Sequence, residues 1–224
     1  MPIPPPASHA DLLERARALD GLTLGALAAE LGQVLPAELL HGKGRVGALL
    51  ELALGASGGN RDLPDFPELG VELKTIPVDA LGRVRESTFV CGINLCAAAR
   101  EEWATSRARR KLACVLWFPV EAPSTAPLPE RHLGTPRLWR PSPEEEALLC
   151  ADWSLLMGRI AAGGLEQITA HLGEVLQIRP KARRAADRAP AARGPEGEAL
   201  AEVPRGFYLR ARFTERVLWR LSGE

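Results

Sequence analysis

The run Leu112-Ala113-Cys114-Val115-Leu116-Trp117-Phe118-Pro119-Val120 constrains this chain more than any other segment. It carries no charge and no alternation. A strand with one wet face alternates apolar and polar residues, whereas a strand covered on both faces stays apolar throughout. The run therefore predicts a central strand over 112–120. Strand patterns also occupy 70–78 (GVELKTIPV), 87–95 (STFVCGINL), 174–179 (EVLQIR) and 206–213 (GFYLRARF), the last alternating.

Helix signals surround these strands. Ser8 with Asp11 opens a first helix that stops near Gly21. Thr23 opens a second, ended by Gly32, and Pro36 suits the first turn of a third. Residues 45–55 (RVGALLELALG) form an apolar helix carrying one carboxylate, Glu51. Ser142, Pro143 and Glu145 are a helix start, with the helix running to about Ala162. A short helix fits 164–171, and Thr214 fits the cap of a last helix over 215–221. Residues 56–64 and 121–136 read as loops. The Ala/Arg/Gly/Pro-rich stretch 182–202 reads as a mobile loop, with 196–202 open to helix. This order predicts an α/β or α+β chain with a mixed central sheet flanked by helices.

At 224 residues the chain suits one large domain or two small lobes. The formal net charge is zero, yet eleven basic residues face five acids between Arg179 and Arg220. A neutral chain distributed this way can still present a positive surface to a polyanion, although on charge alone solvated surface charge is the better reading of such a stretch. The four cysteines sit in apolar runs without zinc-site spacing and read as buried free thiols in a reducing compartment. No segment has the length of a membrane span or the pattern of a signal peptide, so a cytoplasmic protein is expected.

The chemistry gathers at Asp65, Glu72 and Lys74. Strand alternation puts Glu72 and Lys74 on one face, one pleat apart. Asp65 lies at the loop-to-strand boundary, where a turn could return it beside Glu72. Two carboxylates can hold a hard cation such as Mg²⁺, with the Leu73 backbone carbonyl between them as a further ligand. Such an ion activates water and polarises a phosphodiester, and a lysine can position that water or offset charge. Taken alone, this spacing also fits a turn acid and a surface ion pair. Glu51 adds a third acid whose carboxylate either joins the site or reaches solvent at the helix edge.

Beyond these residues, KGRVGALLELALGAS (43–57), DFPELGVELKTIPVD (65–79), ESTFV (86–90), RRKLACVLWFPVE (109–121), LQIRPK (176–181) and PRGFYL (204–209) resemble the MutH family of mismatch-repair endonucleases, in order along the chain. The resemblance implies a restriction-endonuclease-like fold, with two lobes around a DNA cleft. A catalytic lobe would span approximately 20–120, and a DNA-recognition lobe would be built mainly from 121–224. It implies Asp65 and Glu72 as metal ligands and Lys74 as catalytic lysine. Glu51, Lys43 and Lys111 would be further catalytic-site residues, although Lys111 by itself reads as an exposed cation before a strand. Arg179, Pro180 and Lys181 would enter the DNA groove, with Arg179 on a base, and Tyr208 would sense a methyl group on adenine.

The implied activity is Mg²⁺-dependent nicking of the unmethylated strand, 5′ to G in hemimethylated GATC, with Mn²⁺ or Ca²⁺ able to occupy the same site. The implied partners are duplex DNA, MutL and, upstream, MutS, with the enzyme itself a monomer. Two other functions compete: a restriction endonuclease of the same fold that cuts both strands, and a DNA-binding relative without activity. The intact Asp65, Glu72 and Lys74 argue against the second.

Overall fold

The computed structural model describes residues 3–36, 44–59, 62–122, 126–169, 171–181, 189–193, 199–202 and 204–222. It is a mixed α+β chain, as the sequence predicts. Two compact units divide it: Met1–Glu86 with Ala113–Arg140 and Glu215–Glu224, and Ser87–Leu112 with Pro141–Thr214. The chain thus passes between units at several points, not once near residue 120.

The first unit starts with α1 (His9–Arg17), α2 (Leu24–Glu30) and α3 (Arg45–Leu54). Ser8 Oγ accepts from the Asp11 amide, Thr23 caps α2, and Gly55 ends α3 in the left-handed conformation at φ 74°. Strands β1 (Glu72–Val78), β3 (Val115–Glu121) and β4 (Arg137–Trp139) form a mixed sheet in the order β1-β3-β4; β2 and α4 lie in the second unit. The apolar run is central, as expected: β3 runs parallel to β1 and antiparallel to β4. Val115, Leu116, Trp117 and Phe118 are all fully buried. Leu73, Leu116 and Phe118 pack with the apolar sides of α1, α2 and α3. Register places Glu72 and Lys74 opposite Val115 and Trp117, so they share the other sheet face.

The second unit holds β2 (Thr88–Gly92), α4 (Arg107–Leu112), α5 (Pro143–Ala161), β5 (Leu176–Pro180), β6 (Ala189–Arg193), β7 (Ala199–Glu202) and β8 (Arg205–Leu209). An antiparallel sheet has the order β2-β8-β5, and β6 pairs with β7. The capping box at Ser142 and Glu145 forms as predicted, and α5 packs on β5. The last helix, α6 (Ala211–Ser222), continues from this unit into the first.

Several local expectations change. Leu112 closes α4, so the central strand starts three residues later than predicted. β4 lies just past a stretch read as loop, because a three-residue strand has no period to detect and exists through pairing with β3. The short helix at 164–171 contracts to a 3-10 turn, Leu165–Gln167, after a left-handed Gly163 at φ 75°. Residues 199–202 are strand, not helix. Thr214 does not cap the last helix. It lies inside α6, fully buried, while the Arg210 carbonyl accepts from the Phe213 and Thr214 amides at the helix start. Cys96 is exposed, so an apolar neighbourhood in sequence did not place it in the core. The third helix at Pro36 and residue Lys43 fall on or run into residues outside those described.

Candidate active site and nucleic-acid interface

A tight reversal of the chain brings Asp65 to the start of β1. Phe66 and Val71 exchange backbone hydrogen bonds at 2.9 and 3.2 Å, closing the turn Pro67–Gly70. Gly70 adopts φ 66°, which a side chain rarely tolerates. The Asp65 carbonyl also accepts from the Ser57 and Gly58 amides, fixing the approach from α3.

Backbone geometry then sets the carboxylate. The Glu72 amide donates to the Cys114 carbonyl just before β3, so the next amide points to the opposite edge. At that edge Asp65 Oδ2 accepts from the Leu73 N–H at 2.8 Å. The Leu73 carbonyl leaves the strand on the same side, as in any extended residue. Among the described residues, β1 is an outer strand of its sheet, and no further strand covers this edge. Asp65 is 8 % exposed and Glu72 only 3 %. Lys74 Nζ lies 2.7 Å from Glu72 Oε1, one pleat away as alternation requires. Burying a carboxylate costs several kcal/mol, roughly, unless charge or hydrogen bonds compensate. A conventional surface ion pair would not be buried this far.

Two buried carboxylates and a backbone carbonyl are hard oxygen donors, and they suit a cation such as Mg²⁺ that keeps several of its own waters. Among the described residues, no three His, Cys, Asp or Glu side chains gather to hold one ion. Glu51 is half-buried on α3, a helix that packs against β1. Lys111 belongs to the second unit. It is 6 % exposed at the end of α4, which overturns its reading as an exposed cation. Lys43 lies outside the described residues.

The second unit builds a different surface. Gln177 and Arg179 share one face of β5, with Lys181 just past its end, while Leu176 and Ile178 face the core. Register sets Gln177 beside Tyr208 and Arg179 beside Gly206, and on the other side sets Phe89 beside Tyr208. The Phe89 and Tyr208 rings meet edge to face, with centroids 5.3 Å apart. The Arg179 guanidinium lies 5.9 Å from the Tyr208 ring, and Lys181 Nζ lies 5.0 Å from the Phe89 ring. Arg179 Nη1 donates to Ser87 Oγ at 2.6 Å. Arg179, Pro180 and Lys181 are exposed, Tyr208 is half-buried, and Phe207 faces the core. The result is a cationic and aromatic face on an otherwise apolar sheet.

Gly206 makes this face possible. A Cβ there would lie 2.6 Å from Phe89 Cε2 and 2.9 Å from the Cys91 carbonyl oxygen. The Phe89 ring occupies the space that a side chain would take, where β2 bulges between Phe89 and Cys91. Phe89 and Gly206 were not among the sequence candidates, because only cross-strand register reveals their part.

No helix of the described residues is long and apolar enough to cross a membrane. The family model for the DNA mismatch repair enzyme MutH matches residues 54–152, which include Asp65, Glu72, Lys74, Phe89 and Lys111. The DNA mismatch repair protein MutH of Salmonella typhimurium is 52 % identical over 216 residues, 96 % of this chain and 93 % of that protein. The MutH protein of Salmonella paratyphi B matches to the same extent. That of Salmonella paratyphi A is 52 % identical over 220 residues, 98 % of this chain and 95 % of its own length. With half its residues identical to these proteins over nearly their full length, this chain belongs to the MutH family of DNA mismatch repair enzymes.

Proposed function

We propose that this chain is the strand-nicking endonuclease of methyl-directed mismatch repair, cutting 5′ to G on the unmethylated strand of hemimethylated GATC. One observation carries this reading. In a mismatch-repair family, a buried Glu72 pairs with Lys74 at 2.7 Å on the strand whose Leu73 amide binds the buried Asp65 carboxylate.

The Asp65 and Glu72 carboxylates and the Leu73 carbonyl are the residues that would hold Mg²⁺, or Mn²⁺ or Ca²⁺ in its place. Such an ion, when bound, polarises the scissile phosphate and lowers the pKa of a bound water. The chain does the rest. The Leu73 amide orients the Asp65 carboxylate. Lys74 orients the attacking water and offsets charge that develops on the phosphate. Glu51, Lys43 and Lys111 are proposed as further catalytic residues.

Arg179 fits the bidentate recognition of guanine, and Lys181 fits a phosphate contact. Pro180 ends β5 and holds the chain extended between them. Tyr208, half-buried on the same face, is suited to sensing a methyl group on adenine. MutL would activate the enzyme after MutS finds a mismatch, in the cytoplasm, on chromosomal DNA. The test is nicking of a supercoiled plasmid in Mg²⁺ by the full chain, with Asp65→Ala as control. Equal nicking by that variant would remove the catalytic assignment.

A further inference from the structure

The second unit contains a cavity of about 440 Å³ lined by Arg179, Arg210, Arg212 and His171, together with Gln177 and Ser87. Among the described residues, no acidic side chain lines it. Neutral oxygens anchor these arginines at several points. Arg179 donates to Ser87 Oγ, and Arg212 Nη2 donates to the Glu174 carbonyl at 3.3 Å. Arg210 reaches the Gly173 and Leu172 carbonyls at 3.1 and 3.2 Å. A neutral acceptor fixes the plane of a guanidinium without cancelling its charge, and neither Arg179 nor Arg212 has a carboxylate partner among the described residues.

Gln177 gives a second, independent sign of a ligand. It is 7 % exposed and lies on the strand face of Arg179. Its side-chain amide has no hydrogen-bond partner among the described residues. Because the residue lines the cavity, its amide can donate to or accept from whatever occupies the site. The α6 helix also begins here, with Ala211 on the wall, and the first amides of a helix favour an anion.

We propose that this cavity binds one phosphate of the DNA backbone. The inference rests on the DNA-binding reading above, and it adds Gln177, Arg210, Arg212 and His171 to the interface. Forked guanidinium groups match the two non-bridging oxygens of a phosphodiester. Arg179 belongs both to the cavity wall and to the aromatic face with Tyr208. What fills the cavity therefore sits one side chain away from what stacks on the face. That is the relation of a nucleotide's phosphate to its base, and it favours a backbone phosphate over an unrelated free anion.

Equilibrium binding of the full chain, without Mg²⁺, to short duplexes with and without GATC tests this. Arg212→Gln should flatten the dependence of log affinity on log salt by about 0.9, the value of one lost phosphate contact, equally on both duplexes. Gln177→Met should weaken binding to both duplexes while the melting temperature holds or rises, an outcome a merely structural glutamine would not give. Methylphosphonate replacement of single linkages should identify one linkage whose neutralisation weakens the wild type and leaves Arg212→Gln unaffected.

An unchanged salt slope in Arg212→Gln overturns the proposal. So does a loss confined to the GATC duplex, which would make the site a base reader. Binding of inorganic phosphate that depends on Arg212, with no linkage depending on it, would make the occupant a free anion and also overturn it. If the wild type shows no preference for GATC, the sequence-specific function fails, while the salt slope still decides the phosphate site.

Discussion

The Leu73 amide holds the Asp65 carboxylate at 2.8 Å across the edge of β1, so one backbone N–H orients a proposed metal ligand. This separates the fold from the chemistry at Asp65. Asp65→Asn keeps an oxygen acceptor for that amide but loses the charge. Nicking should fall more than about 100-fold, beyond the loss typical of residues that only support a metal ligand. Asp65→Ala should lose activity to the same extent and in addition be destabilised by about 1–3 kcal/mol, because a buried N–H is left unpaired. Denaturant unfolding of both variants beside a nicking assay checks the pair.

Gly206 should tolerate no side chain. In Gly206→Ala the new methyl meets Phe89 Cε2 at 2.6 Å and the Cys91 carbonyl at 2.9 Å. The ring can turn away, but the carbonyl can move only with β2. The expected stability cost is about 1–3 kcal/mol, as for other overpacked sites. DNA affinity should fall with it, because Phe89 supports Tyr208 and Lys181. Gly206→Ala in a Phe89→Leu background should recover part of the stability and none of the affinity. Calorimetry and fluorescence anisotropy read the two quantities.

Asp152 should be the stability anchor of the recognition strand. Its buried carboxylate accepts from the Glu174, Val175 and Leu176 amides at 2.7–2.9 Å, pinning the entry to β5. Asp152→Ala leaves these amides unpaired and should cost about 3 kcal/mol or more. Hydrogen exchange should show the loss concentrated at 174–180, with the Asp65–Leu73 hydrogen bond in the other unit keeping its protection.

Acid should reach Asp79 late. The Arg83 backbone amide is the main cause holding this carboxyl down to about 2, with the Leu81 amide and the Arg83 and Arg85 side chains adding to it. A depressed folded value means that the stabilisation is complete above the ordinary value near 3.8 and is lost as pH falls through about 2. A carboxyl-carbon NMR titration should place its midpoint near 2. A midpoint near 3.8 would show that the turn after β1 does not form in solution.

What sequence could reveal here depended on how local each cause is. The capping box at Ser142 is complete within four residues, so its chemistry was legible directly. The apolar run of β3 and the shared face of Glu72 and Lys74 follow from period-two geometry. The meeting of Asp65 with Leu73 needed a turn that sequence could only allow. Phe89 and Gly206 were invisible because their contact arises from the register of β2 on β8. The sequence misplaced the start of α6 because Thr214, a good cap by chemistry, is held inside the helix by burial. Lys111 misled in the same way, its charge suggesting a surface that its packing denies.

The most direct test is strand-resolved cleavage of hemimethylated, unmethylated and fully methylated GATC duplexes in Mg²⁺, with and without MutL. The expected result is a single nick 5′ to G on the unmethylated strand of the hemimethylated duplex, stimulated by MutL, with no cutting of the fully methylated duplex. Asp65→Asn should give none of these products. Simultaneous cutting of both strands, indifferent to MutL, would contradict the mismatch-repair assignment, and full activity in Asp65→Asn would contradict the site itself.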